Sequence, residues 1–230
     1  MQPGPLLALL LLLLGPGVAV AGPWARGEGV TFVSVSHGAS SDPTWWGTPW
    51  ASVNHWTGLY VERGATRRLT LGLDAGSADF GRTLDLLLFA SRALDDGSGP
   101  HRLAAEFGLG LRRDALGTRP LLRPGLSWGR GFESGWGAGW ASVVVQAVHE
   151  PMLAETDWKL DTTLGIKPDP RWMAILQFEN GLPAGGEAYV RAVPSVVRRV
   201  GPGRHVQFAL TAGLAGDRSV GGKIGVWLEF

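Results

Sequence analysis

The chain has 230 residues, a formal net charge of +1 and no cysteine, and it is rich in glycine (35) and tryptophan (11). The missing cysteines exclude disulfides and thiolate sites. Charges of both signs are scattered along the chain, which excludes the basic stripe that a nucleic-acid partner requires.

Residues 1–21 read as a secretory signal. Leu6 to Leu14 is an apolar run, far short of the roughly 20 residues that cross a bilayer as a helix. Gly15-Pro16-Gly17 breaks it, and Ala19-Val20-Ala21 forms a small-x-small cleavage site before Gly22. The segment has no Lys or Arg at its start, and an uncleaved anchor is the alternative. Residues 22–230 then make one domain by length. No later stretch is apolar for long enough to be a transmembrane helix.

About twelve strand-like runs follow, separated by turn residues. They lie near 28–37, 51–62, 67–75, 82–91, 102–112, 119–129, 137–149, 158–167, 171–180, 186–199 and 206–214, and from about 219 to the end. Without 28–37 and 119–129 the count is ten. The second of these holds Pro120 and Pro124, which interrupt a ladder unless they sit at an end or a bulge. The pattern predicts tight turns at Arg63-Gly64-Ala65-Thr66, Lys167-Pro168-Asp169-Pro170 and Gly201-Pro202-Gly203. The longest candidate loop, 38–50, ends in a tryptophan-rich stretch. Its Trp45, Trp46 and Trp50, with Trp56 nearby, could stack on sugars or cations; an interfacial belt is the simpler reading.

Several runs alternate cleanly. Leu103, Ala105, Phe107, Leu109 and Leu111 share one face, opposite Arg102, Glu106, Gly108, Gly110 and Arg112. Trp158, Leu160, Thr162, Leu164 and Ile166 likewise oppose Lys159, Asp161, Thr163, Gly165 and Lys167. Alternation also fits a soluble barrel or sandwich with its apolar face turned inward. Three features favour lipid outside and a polar interior: charges of both signs on the polar face, glycines among them, and aromatic residues (Trp158, Trp172, Phe178, Phe230) near strand ends.

The last strand alternates Ile224, Val226, Leu228 and Phe230 with Gly225, Trp227 and Glu229. An alternating terminal strand that closes on Phe resembles the C-terminal signal of bacterial outer-membrane β-barrels. The resemblance covers residues 22–230 as a pattern, with this strand as its one specific motif. It implies an all-β fold, a single transmembrane antiparallel up-and-down barrel of about twelve strands. It also implies export to the bacterial outer membrane, contact with outer-membrane lipid, and recognition of Phe230, Leu228 and Val226 by the barrel-assembly machinery. In this class both termini lie on the periplasmic side, so the strand number is even. With twelve strands the three predicted tight turns all fall on that side.

Signals for chemistry are weak. None of the histidines 37, 55, 101, 149 and 205 has a serine two residues after it, as outer-membrane lipid hydrolases place the pair. Ser36 is adjacent to His37 and points to the opposite face of a strand; His37 could meet Ser40, Ser41 and Asp42 only in a loop. Asp95-Asp96 reads as a turn. No metal-ligand spacing and no phosphate loop is present, so no cofactor is expected. The remaining candidates are charges predicted to face a lumen: Glu106, Lys159, Asp161, Glu179, Arg191, Lys223 and Glu229. They would either line water or fill space, because twelve strands lie between a filled eight-stranded barrel and an open sixteen-stranded one. The expected function is a small channel for polar solutes. The alternatives are a non-conducting barrel that binds or helps export a surface polysaccharide or lipid, and a lipid-modifying hydrolase.

Overall fold

The computed structural model describes residues 22–42 and 53–230. The expectations for the signal segment and for Trp45, Trp46 and Trp50 lie outside the described residues. Twelve antiparallel strands close into one barrel. They are β1 (Thr31–Ser41), β2 (Asn54–Gly64), β3 (Leu69–Ala78), β4 (Thr83–Ala93), β5 (His101–Asp114) and β6 (Gly117–Ser134). The second half is β7 (Gly137–Glu150), β8 (Glu155–Asp169), β9 (Trp172–Leu182), β10 (Tyr189–Gly201), β11 (Arg204–Ala215) and β12 (Val220–Glu229). Each strand pairs with its neighbours in sequence, and β12 returns to pair with β1 from Phe32↔Glu229 to Ser41↔Val220. We call the end holding Thr31 and Phe230 proximal and the other distal. The three predicted tight turns are all proximal.

Both runs that departed from the expected pattern are strands. In β6, Pro124 faces outward, and the ladder to β7 passes from Leu122↔His149 to Gly125↔Gln146 without pairing Arg123 or Pro124. The register is the same on either side of the gap, so the proline costs rungs but does not shift the strand. Pro194 does the same in β10, where the ladder to β11 skips from Ala192↔Ala212 to Ser195↔Ala209. Pro168 sits at a register shift between Ile166 and Asp169. Residues 28–30, expected in the first strand, precede it and run beside Gly64 at the proximal end of β2, with Glu28 and Gly29 exposed.

Strand alternation turns large apolar side chains outward. Leu88 and Leu210 are 64% and 67% exposed, and Phe107, Leu109, Leu126, Leu164, Phe208 and Ile224 are exposed as well. A water-soluble barrel would bury this face, so the observed polarity is that of a barrel immersed in lipid. The charges on the outward face, Arg63, Arg92, Arg113, Arg130, Arg198 and Arg204, lie at or opposite strand ends. Arg198 covers the ring of Trp172 at 5.3 Å. Each would cost about 2–4 kcal/mol at the midplane and little near an interface.

Phe230 forms the last rung of the closure. Thr31 N–H donates to its carbonyl at 2.7 Å, and its own N–H donates to Thr31 O at 3.0 Å. Deleting Phe230 removes two backbone hydrogen bonds, together worth about 1–3 kcal/mol. The deletion should lower the urea midpoint of the refolded barrel, while Phe230→Tyr retains it; equal midpoints for deletion and parent would show the rung is idle.

Candidate functional site

The inner faces of the strands build a lumen with two unlike walls. On the β2–β7 side, arginines are locked by carboxylates. Arg123, from β6, reaches Asp74 of β3 at 2.5 Å and Glu106 of β5 at 3.1 Å, and Gln146 of β7 donates to the same Glu106 oxygen at 3.0 Å. Nearer the distal mouth, Arg112 binds both oxygens of Asp85 (2.9 and 2.8 Å) and Glu150 (2.5 Å), while Arg119 binds Glu150 (2.8 Å) and both oxygens of Asp114 (2.7 Å). Leu87, Phe89, Leu121 and Val148 pack among these pairs, with Tyr60 against them. Bidentate geometry and apolar filling make this wall rigid.

The β8–β12 side differs. Asp161 and Glu179 stand directly opposite each other on β8 and β9, an arrangement that repulsion disfavours. Lys159 is two residues from Asp161 on the same face. Lys223 projects from β12, with its Nζ 5.6 Å from the Trp56 ring. No carboxylate lies within 4 Å of Lys159 or Lys223, and no cation lies that close to Asp161 or Glu179, among the described residues. Gln177, Gln207, Thr163, Ser34 and Ser36 line the lumen with Asp161 and Lys223.

Between the walls lies a cavity of about 450 Å³. Glu62, Asp74, Glu106 and Asp161 line it against Arg123 and Lys223. The proximal end is narrowed by apolar side chains: Trp140, Met173 and Val197 form a buried cluster, with Trp24, Ile175 and Trp227 packed on it. Residues 22–30 cross this end from wall to wall. At the distal mouth, Arg191 pairs with Asp217 of the β11–β12 turn. Burial opposes ionisation of Asp217, but the Ser219 N–H, the Arg191 guanidinium and the Ser219 hydroxyl outweigh it and hold the carboxyl below its usual range.

The seven charges predicted to face inward all sit on the inner face by strand parity, but at three levels. Glu106, Asp161 and Lys223 meet at the central cavity. Lys159, Glu179 and Arg191 lie distal to it. Glu229 is proximal, 3.6 Å from Arg26. Trp56, grouped with the tryptophans of the nearby loop, belongs to β2, within the strand run expected near 51–62, and its ring lies over Gly38, where a Cβ would come within 2.4 Å. His37 bonds Thr57 Oγ1 at 2.9 Å, and Ser36 lines the lumen, so no Ser–His pair forms there. Asp95 and Asp96 accept the N–H groups of Gly97 and Ser98 at 2.9 Å each, which is turn chemistry. Two features escaped sequence reasoning. The spacing Arg119-x-Leu121-x-Arg123 was a usable signal for the arginine wall, obscured by Pro120 within it and Pro124 after it. The segment 22–30 was missed as a unit: 22–27 has no periodicity, and 28–30 read as the start of the first strand.

No family model and no curated protein matches the sequence. Similar folds occur among solved structures. A KdgM porin superposes with a TM-score of 0.63 at 10% identity, covering 86% of this chain and 99% of the porin. A NanC porin gives 0.60 at 10%, covering 85% and 98%. An outer-membrane channel from Pseudomonas putida F1 gives 0.56 at 14%, covering 93% and 100%. The chain therefore has the fold of bacterial outer-membrane β-barrels.

Proposed function

We propose that the protein is an outer-membrane channel for small polar solutes, with the proximal end facing the periplasm. One observation carries the reading: the lumen holds a polar cavity whose β8–β12 wall presents charges without direct ion pairs. A barrel that only filled its interior would pair or bury those groups, as the opposite wall does. The solute path then follows Lys159, Asp161, Glu179 and Lys223, past Gln177 and Gln207. One of the similar porins, KdgM, is known in complex with disordered oligogalacturonate, which supports a hydrophilic solute. The apolar narrowing of the proximal end favours a second reading, a closed barrel that binds a surface polymer without conducting. On either reading we place the barrel in the outer membrane after cleavage near Ala21, assembled through Val226, Leu228 and Phe230.

Single-channel recording of the refolded protein tests the first reading. Lys159→Glu changes the lumen by two unit charges, each worth about 1 kcal/mol to an ion roughly 4 Å away in water. The cation-to-anion permeability ratio, read from the reversal potential in a salt gradient, should rise about fivefold or more. A folded barrel that passes no current under any condition would leave the closed-barrel reading.

A further inference from the structure

The segment 22–30 is a partition between two cavities. Gly22 lines the central cavity. Trp24, Ala25, Arg26, Gly27 and Val30 line a second cavity of about 380 Å³ at the proximal end, whose far wall holds Trp140, Lys167 and Glu229. On one side the segment is seated against β6 and β7. Pro23 is fully buried, and a Cβ on Gly129 would lie 2.7 Å from Pro23 Cγ and 2.4 Å from Trp24 Cη2. Glycine at 129 is what makes room for them.

On the other side the segment is held by β1, β2 and β3. The Arg26 amide donates to Thr70 Oγ1 at 3.0 Å, and its Nε donates to Glu62 Oε2 at 2.6 Å. Tyr60 donates to the second Glu62 oxygen at 2.9 Å, and the Arg26 guanidinium covers the Phe32 ring at 4.3 Å. Gly29 and Val30 exchange backbone bonds with Gly64 at 2.9 and 3.0 Å. Unlike the strands, this segment has no ladder along its length.

We propose that residues 22–30 are a displaceable plug that shuts the proximal end of the channel and leaves it to open the path. Two features make the seat reversible. Arg26 is 5% exposed, yet its Nη2 has no hydrogen-bond partner, so docking strands a guanidinium N–H that water satisfies once the segment leaves. The rest of the seat is the Arg26 pairs with Glu62 and, at 3.6 Å, Glu229, a few hydrogen bonds, the Phe32 contact, and the packing of Pro23 and Trp24. Withdrawal joins the central and proximal cavities. The inference rests on the channel reading of the lumen.

The test uses the full chain in planar bilayers. Arg26→Ala combined with Glu62→Gln removes the anchor without leaving Glu62 as an unpaired buried charge, while the partly exposed Glu229 loses only its longer contact, and Gly129→Leu expels Pro23 and Trp24 by volume. Both should raise single-channel conductance severalfold. Because the chain has no cysteine, Pro23→Cys reports the plug alone: its reaction with a water-soluble maleimide should be slow, and about tenfold or more faster in the Arg26→Ala/Glu62→Gln background. Faster labelling with unchanged, measurable conductance would overturn the gate and leave the channel. Unchanged labelling in both backgrounds would overturn displaceability. If every variant folds and labels faster yet passes no current, the channel reading itself fails, and the gate with it.

Discussion

Replacing Gly165 with leucine should destabilise the barrel by about 1–3 kcal/mol or more, the range for overpacked cores. Gly165 lies on the inner face of β8, and a Cβ there would stand 2.1–2.3 Å from three atoms of the Trp140 ring. That ring has nowhere to retreat. It is 5% exposed and enclosed by Met173, Val197, Trp24, Ile175 and Trp227. Moving it would also disturb the surface on which Trp24 rests, so the plug should loosen before the barrel unfolds. Gly76 on β3 is the control, since nothing lies within 4 Å of a Cβ there. Gly76→Ala should stay within about 0.5 kcal/mol of the parent. Urea unfolding of both variants, followed by tryptophan fluorescence, measures the difference. Equal midpoints would mean that Trp140 is not held as the structure shows.

The same pair explains how far the sequence could be read. Alternation along β5, β8, β11 and β12 needs only neighbouring residues, because side chains two apart share a face. Strand positions, barrel polarity and the inward set of charges were legible for that reason. What charged residues do to one another was not. Arg112 and Arg119 meet Glu150 from 38 and 31 residues away in sequence, and no local pattern announces that contact. Nor did any local signal separate a paired charge such as Glu106 from an unpaired one such as Asp161. The glycines show the same limit. Gly165 and Gly129 read as strand glycines on a polar face, but one makes room for a tryptophan of the adjacent strand and the other for the inserted segment. The prolines misled in the opposite direction: Pro120 and Pro124 argued against β6, but Pro120 lies at the strand's start, before its ladder to β7 begins, and at Pro124 that ladder simply omits the rungs.

Glu150→Ala should cost more than any other single change in the lumen, about 3–5 kcal/mol, the range for removing one partner of a buried ion pair. Glu150 is 6% exposed and bridges two guanidinium groups, one on each carboxylate oxygen. Without it Arg119 keeps Asp114, but its Nε is left facing protein, and Arg112 keeps Asp85 with Asp157 more distant at 3.7 Å. The contrast with Arg26 is structural. Arg26 belongs to a segment that can leave, so losing Glu62 should cost only the docking of that segment. Glu150, Arg112 and Arg119 stand on three consecutive strands and cannot leave without unfolding the wall. Glu150→Leu with Arg119→Met should therefore recover much of the loss, because apolar side chains of similar size need no partner there. The double-mutant cycle should return a coupling of about 1–3 kcal/mol between the two positions. A Glu150→Ala barrel that unfolds at the parental urea concentration would mean that water already reaches this network. The β2–β7 wall would then be as wet as the β8–β12 wall, and the solute path could not be assigned to one side of the lumen.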